Sequence, residues 1–251
     1  MLCLLTLLLF SGLLLTGCAG RVPQESIPAD QRETVVLLHG LGRSTQAMYY
    51  LQYRLEHAGF EVFNIGYPSM EKAPEELVRL LHDRVRICCA AKKKVHFVAH
   101  SLGGIMVRAL LGERREINLG RVVLLGTPNR GTELVDWLAD NRLFRVMAGP
   151  TAQCLGTSAD AFPRRLPAPD YELGIIAGNR SINPGGSWVL RGPDDGIVSV
   201  KSTRVAGMKD FLVASAGHVL MRYSDDVADE VIGFLRRGRF PHNSDSAREE
   251  K

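Results

Sequence analysis

Ser101 follows an apolar, β-branched run of sequence and precedes two glycines. The run, residues 94–100, predicts a buried strand, and the residues after the serine predict the start of a helix. Ala99 and Gly103 are small, as a tight strand-to-helix turn requires. A serine hydroxyl becomes a nucleophile only when a base takes its proton and a carboxylate orients that base. The pattern therefore makes Ser101 a candidate nucleophile, with an ordinary turn serine as the alternative.

The groups that could complete such a site lie further along the chain. Downstream of Ser101, histidine occurs only at positions 218 and 242. His242 lies in a polar C-terminal stretch, whereas His218 follows a strand-like segment and precedes the last predicted helix. Two adjacent carboxylates, Asp194 and Asp195, stand in the loop sequence "GPDDGIVSVKST". Taken singly, each of these residues could be an ordinary loop group.

Three sequence motifs carry a resemblance to a known family. They are "AHSLG" at residues 99–103, "LLHGLGRST" at 37–45 and "LLGTPNRGTELVDWL" at 124–138. Residues 34–237 resemble the α/β-hydrolase superfamily, most closely its lipase-like serine esterases. In that family the serine lies on a sharp strand-to-helix turn, the nucleophile elbow. Ala99 stands here where the elbow motif has its first glycine.

The resemblance implies a catalytic triad of Ser101, Asp195 and His218. Their chain order, serine then acid then histidine, is that of the family. The family carries its acid in an Asp-Gly-x-Val turn, and this motif selects Asp195. Asp194 is then expected to be solvated or to cap the turn.

The resemblance also implies an oxyanion hole made of the backbone N–H groups of Leu41 and Leu102. His100 is expected to be a packing or supporting group rather than the base. For the loop at 37–45, a plain strand-to-helix turn with His39 as a packing residue is the alternative. The implied reaction is hydrolysis of a carboxylic ester through an acyl-enzyme, with no metal or organic cofactor.

Apolar strands alternate with amphipathic helices between residues 34 and 237. This predicts an α/β fold, with a mainly parallel, doubly wound sheet and helices on both faces. The predicted strands are 34–40, 60–68, 94–100, 121–128, 173–179 and 210–216, and the main predicted helices are 44–59, 73–90, 101–111 and 225–237. Residues 238–251 are expected to form a flexible tail.

The regular alternation loosens between residues 129 and 172. This segment contains a helix-like stretch and a proline-rich passage, and we expect a small cap or lid insertion over the site. Its apolar residues would favour a substrate with an apolar acyl group, and plain packing on the core is the alternative. They are Leu134, Trp137, Leu138, Leu143, Phe144, Val146 and Met147.

The N-terminal segment is apolar and uncharged up to Cys18. Its length is that of a secretory signal and short for a membrane span. The sequence Leu-Thr-Gly-Cys resembles a bacterial lipoprotein signal, which implies a signal peptide at 1–17, lipidation of Cys18 and a tether at 18–33. Ala19 then implies an outer-membrane location in the cell envelope, facing the periplasm. A plain signal peptide or an uncleaved anchor is the alternative.

The composition argues against other classes of function. Lys and Arg number 31 against 27 Asp and Glu, a net charge of +4 that is spread along the chain. No nucleic-acid-binding module is recognisable. The cysteines show no metal-ligand spacing, and Cys88 and Cys89 are expected to pack on a helix as small apolar residues.

Two rival functions stay open at this point. A membrane lipoprotein could keep the hydrolase fold as a non-catalytic binding scaffold. An acyltransferase, thioesterase or phospholipase would use the same triad. Ester or lipid substrates, a membrane contact through Cys18 and no nucleic acid are the expected partners, and the sequence predicts no oligomeric state.

Overall fold

A single sheet of six parallel strands forms the centre of the computed structural model, which describes residues 28, 31–113 and 116–242. The strands are β1 (Thr34–Leu38), β2 (Glu61–Ile65), β3 (Val95–His100), β4 (Leu119–Leu125), β5 (Leu173–Gly178) and β6 (Asp210–Ala214). The helices are α1 (Tyr49–His57), α2 (Pro74–Cys89), α3 (Leu102–Glu113), α4 (Glu133–Leu138), α5 (Arg142–Met147), α6 (Gly149–Gln153), α7 (Phe162–Arg165), α8 (Pro184–Val189), α9 (Val200–Thr203) and α10 (Asp225–Arg237).

The strands lie in the order β2-β1-β3-β4-β5-β6. The chain passes from β1 outward to β2, then crosses back to β3 and continues to the opposite edge. The winding direction therefore reverses between β1 and β3, and ligands of open parallel sheets bind at the carboxyl edge of such a point. The predicted fold class is confirmed.

Apolar residues cover both faces of the sheet, because successive strand residues point to opposite sides. Val35 and Leu37 of β1 pack with residues of α1 and α10. Val36 and Leu38 pack on the other face, with residues of α2 and α3. This two-sided burial explains why the strands are continuous apolar runs rather than alternating ones.

Several helix boundaries differ from those predicted. The first predicted helix opens as a 3₁₀ turn at Thr45–Met48, and the side chain of Ser44 makes no capping hydrogen bond. The helix-like stretch after residue 131 is divided into α4 and α5, because the Asn141 side chain caps a new helix by accepting from the Phe144 amide at 3.0 Å.

The packed chain continues beyond residue 237, where we expected the tail to begin. Phe240 is buried, and its ring lies 5.0 Å from that of Phe234 on α10. Residues 243–251 lie outside the described part of the chain.

Cys88 and Cys89 end α2 and are joined by a disulfide, which the expectation of two small packing residues did not include. Residues 1–27, with Cys18 and the expected signal, lie outside the described residues. Within the part that the structure describes, no helix is both long and apolar enough to cross a membrane.

Candidate active site

Ser101 occupies a strained turn between β3 and α3. Its φ is +55°, in the left-handed region that non-glycine residues rarely adopt. The turn is held because the Ser101 amide donates to the Leu125 carbonyl of the neighbouring strand at 2.8 Å. A Cβ added to Gly103 would lie 2.6 Å from the Leu38 and His39 carbonyl oxygens. Residue 103 must therefore lack a side chain, as the sequence of an elbow predicts.

The structure brings Ser101, His218 and Asp195 into one hydrogen-bonded chain. The Ser101 hydroxyl lies 3.0 Å from His218 Nε2, and His218 Nδ1 lies 2.7 Å from Asp195 Oδ2. The carboxylate only accepts, so Nδ1 carries the ring proton and Nε2 is free to accept a proton from serine. Both distances are ordinary hydrogen-bond distances, and the one between Oγ and Nε2 allows proton transfer from the serine.

Asp195 is buried and fully satisfied. Its Oδ1 accepts from the Ile197 amide at 3.0 Å and from the Val198 amide at 2.8 Å. The His218 amide also donates to the Asp195 carbonyl at 2.9 Å, which ties the two loops together. The carboxylate is thus held in one orientation, with its second oxygen left for the imidazole.

Asp194 has a different role in the same turn. Its Oδ1 accepts from the Gly196 amide and from the Ser187 hydroxyl, both at 2.7 Å. This is the turn-capping role expected of it from the sequence. The adjacent carboxylates are thereby separated into one that faces the histidine and one that stabilises the loop.

The loop after β1 lies directly against the nucleophile. A Cβ added to Gly40 would lie 3.1 Å from the Cβ of Ser101. Leu102 is the first residue of α3, so its amide has no acceptor within the helix. This arrangement fits the expected oxyanion donors at Leu41 and Leu102, whose role stays a prediction.

A brace that the sequence did not reveal holds this loop in place. The Tyr67 hydroxyl donates to the His39 carbonyl at 2.5 Å, and the rings of Tyr67 and His39 stack with centroids 4.3 Å apart. The Gly42 amide donates to Ser69 Oγ at 3.0 Å. Burial lowers the pKa of His39 and raises that of Tyr67, so both groups stay neutral. His39 is therefore a structural residue.

Gly126 is a second position that sequence reasoning missed. It has φ +53°, and an added Cβ would lie 3.0 Å from Asp195 Oδ2 and 3.1 Å from His218 Nδ1. Gly126 is the first residue of the Gly-Thr-Pro motif, and this motif was the sequence feature that could have pointed to it. Its missing side chain makes room for the contact between acid and base.

The cap segment is attached on both sides of the site. The Thr132 hydroxyl, at the start of α4, donates to the Ile197 carbonyl beside Asp195 at 2.6 Å. The Thr151 hydroxyl of α6 donates to the Lys72 carbonyl, in the loop after β2, at 2.6 Å. The segment therefore bridges the loops at the carboxyl edge of the sheet.

The apolar residues of this segment are largely exposed. Trp137 is 62% exposed, Val146 75% and Met147 63%. Trp188, on α8 next to α4, is 84% exposed. These side chains are open to solvent and are not part of the buried core. In the described residues no group of three or more His, Cys, Asp or Glu could hold a metal ion.

The sequence profile of the family described as "Domain of unknown function (DUF7379)" matches residues 16–166. The chain belongs to this family. The DUF7379 match covers β1 to β4, including Ser101 and most of the segment expected to be a cap, and it ends before Asp195 and His218. No curated protein matches the sequence.

Solved structures show the fold of this DUF7379 protein. The mature lipase BlEst2 of Bacillus licheniformis superposes with a TM-score of 0.62 at 22% identity, over 78% of this chain and 88% of that one. A structure from work on carboxylesterases of the thaumarchaeon Nitrososphaera gargenis gives 0.56 at 14%, over 84% and 93%. The type II thioesterase BorB gives 0.55 at 18%, over 82% and 92%. The DUF7379 chain has the α/β-hydrolase fold.

Proposed function

We propose that the protein is a serine hydrolase of carboxylic esters. The observation that carries the proposal is the hydrogen-bonded chain from Ser101 through His218 to Asp195, on a strained turn at the carboxyl edge of the sheet. A packing serine needs neither a left-handed backbone nor a histidine oriented by a buried carboxylate.

The reaction is a two-step acyl transfer. His218 Nε2 takes the hydroxyl proton as Ser101 Oγ attacks the ester carbonyl carbon, and the amides of Leu41 and Leu102 stabilise the oxyanion. The carbon–oxygen bond to the alcohol breaks, and the alcohol leaves with the proton from His218. Water then gives a proton to His218 as its oxygen attacks the acyl carbon. The bond from that carbon to Ser101 Oγ breaks, His218 returns the proton to Oγ, and the acid leaves.

An apolar acyl chain is the substrate feature we propose. Trp137, Leu143, Val146 and Met147 of the cap are exposed although they lie on a segment attached beside Asp195. Exposed apolar side chains next to a reactive group provide a surface for an apolar ligand. This supports acyl lipids over small polar esters.

The test is activity of the full-length protein in detergent towards p-nitrophenyl esters from acetate to palmitate, with labelling by a fluorophosphonate. Ser101→Ala should abolish labelling and lower kcat at least about 10⁴-fold. Ser158→Ala, an exposed serine of the cap, is the matched control and should do neither.

The chain-length series decides the substrate class. A kcat/KM that rises towards long chains supports lipid esters, and a maximum at acetate contradicts that part of the proposal. A folded wild-type protein without labelling or turnover would favour the scaffold function. A kcat/KM for acyl thioesters that is far above the kcat/KM for esters of the same chain length would favour a thioesterase.

We also propose that Cys18 is lipidated and holds the protein at the outer membrane of a bacterial cell envelope, facing the periplasm. The support is the sequence alone, an apolar stretch that ends in Leu-Thr-Gly-Cys and is followed by Ala19. Cys18→Ser should release the protein from the membrane fraction and remove metabolic labelling with a fatty-acid probe. Labelling that persists in the variant would overturn the anchor.

A further inference from the structure

Within the described residues the His100 side chain makes one hydrogen bond, and it reaches the backbone of the candidate base. Its Nε2 lies 2.8 Å from the carbonyl oxygen of His218. A carbonyl oxygen only accepts, so the proton of the neutral His100 ring is on Nε2. The ring is 3% exposed, and its Nδ1 has no hydrogen-bond partner in the described structure.

The surroundings keep His100 neutral. Burial, followed by the neighbouring charges of His218 and Arg222, holds the pKa of His100 well below its usual range. Its Nδ1 faces the loop after β1, because a Cβ added to Gly40 would lie 3.1 Å from that atom. His100 is therefore neutral, and its ring has one N–H group to donate.

The position of His100 links the nucleophile and the base through rigid elements. His100 is the last residue of β3, a central strand, and Ser101 is the next residue. His218 lies in the loop after β6, at the far edge of the sheet. Its loop is held at the His218 amide by Asp195 and at the His218 carbonyl by His100.

We propose that His100 is a positioning residue, whose Nε2–H holds the His218 backbone so that the imidazole stays between Ser101 and Asp195. This inference rests on the proposed serine hydrolase function. The end of β3 then holds both groups, because it leads into Ser101 and because its last residue, His100, holds the His218 backbone. This fixes the distance between Ser101 Oγ and His218 Nε2. Packing alone does not need the donor, since an apolar side chain could fill the same volume.

The test separates the hydrogen bond from the volume. His100→Gln keeps an amide donor near the position of Nε2, His100→Asn places its donor too close to the backbone, and His100→Leu has none. We expect kcat for p-nitrophenyl butyrate to fall about 10- to 100-fold in the Asn and Leu variants, with KM within about twofold. His100→Gln should restore most of the lost kcat.

His96 gives a matched control at the other end of the same strand. It is buried and hydrogen-bonded to Glu33, away from the site. His96→Leu and His96→Gln should alter thermal stability without a difference in kcat between them. A His100→Leu variant with wild-type kcat, or a Gln variant no better than the Leu variant, would overturn the proposal.

The pH profile excludes a second role for His100. The acid limb of kcat/KM should persist in His100→Gln, because a side chain that only donates a hydrogen bond does not produce that limb. An acid limb that disappears in this variant would make His100 a titrating catalytic group and would contradict the proposal.

Amide hydrogen exchange tests whether His100 holds the His218 backbone, and this measurement does not depend on enzyme activity. Exchange in residues 216–221 should be at least about tenfold faster in His100→Leu than in His100→Gln. A protein that is inactive and unlabelled, yet shows this difference, would refute the proposed function and keep the positioning contact. Equal exchange in the two variants would refute the contact.

Discussion

Two aspartates stand side by side after β5, and only Asp195 contacts the histidine. Both are buried acceptors, so composition and burial do not distinguish them. Their hydrogen-bond partners distinguish them. Asp195 accepts from two amides with one oxygen and from His218 with the other. Asp194 accepts from the Gly196 amide of the turn and from the Ser187 hydroxyl of α8.

Asp195→Asn should therefore disable the histidine. The two amides keep the carboxamide oxygen at the Oδ1 position, so its NH₂ faces His218 Nδ1. That nitrogen must then accept, the ring proton moves to Nε2, and serine loses its base. We expect kcat to fall about 10⁴-fold.

Asp194→Asn is the matched control for this variant. It should lower kcat less than about fivefold, because it changes turn hydrogen bonds that each contribute about 1 kcal/mol. Steady-state kinetics of the two variants checks both values. Equal losses would mean that Asp195 acts only through the turn.

Gly126→Ala should impair both stability and turnover. A left-handed backbone disfavours alanine by about 1–2 kcal/mol, and the new methyl group would lie 3.0 Å from Asp195 Oδ2. We expect kcat to fall about 10- to 100-fold as acid and base separate.

Gly192→Ala provides the comparison, since Gly192 also has positive φ and nothing lies within 4 Å of its added Cβ. It should lose similar stability and keep kcat. Denaturant unfolding and kinetics measure the two quantities. Unchanged turnover in Gly126→Ala would show that the site tolerates the contact.

At the scale of elements, the sequence predicted the strands and long helices well, because their apolar periodicity is determined by burial on two faces. The final helix was predicted at the observed residues, Asp225–Arg237. Strand order was not predictable, since it depends on crossovers that leave no local pattern. The brace at Tyr67 and the hydrogen bond of His100 were missed for the same reason: each joins residues far apart in the chain.

A buried arginine attaches the cap to the sheet domain. Arg108 of α3 donates to the carbonyl oxygens of Asn129, Pro163, Leu166 and Pro167 at 3.3 Å, and to Asn129 Oδ1 at 3.1 Å. Burial lowers the pKa of its guanidinium. This one side chain thus holds both ends of the segment that carries the exposed apolar surface.

Arg108→Met should loosen the cap selectively. Each buried acceptor left without a donor disfavours the folded state by about 1–3 kcal/mol, so amide exchange in residues 161–168 should rise at least about 100-fold while β3 stays protected. Arg145→Met, an exposed arginine on α5, is the control and should leave exchange unchanged. Uniform acceleration across the sheet would instead indicate that Arg108 stabilises the whole domain.

At the scale of the whole molecule, the site is assembled where the winding of the sheet reverses. The loops after β1 and β3 bring Gly40 and Ser101 together, and the loops after β5 and β6 add Asp195 and His218. The positions of Ser101 and of the loop after β1 are therefore set by strands at the centre of the sheet. The positions of Asp195 and His218 are set by the last two strands at one edge. Partial unfolding at the β6 edge would remove the base before it disturbed the nucleophile.

The same architecture makes the protein sensitive to acid, because His39, His96 and His100 are buried at 1%, 0% and 3% exposure. Burial is the largest cause of the lowered pKa of each imidazole. The unfolded chain binds protons near pH 6.5, whereas the folded chain does so only at lower pH. The stability these groups contribute is therefore fully present above pH 6.5 and is lost as the pH falls below it.

Each group should lower the free energy of unfolding by up to about 1.4 kcal/mol per pH unit in that window. Urea unfolding at pH 8, 7, 6 and 5 should give equal stability at the first two values and a steep decline between the last two. His96→Gln should make that decline shallower by up to about 1.4 kcal/mol per pH unit. A wild-type stability that is flat from pH 7 to 5 would mean that the folded chain admits these protons, and that the neutral state assigned to His100 beside the base is wrong.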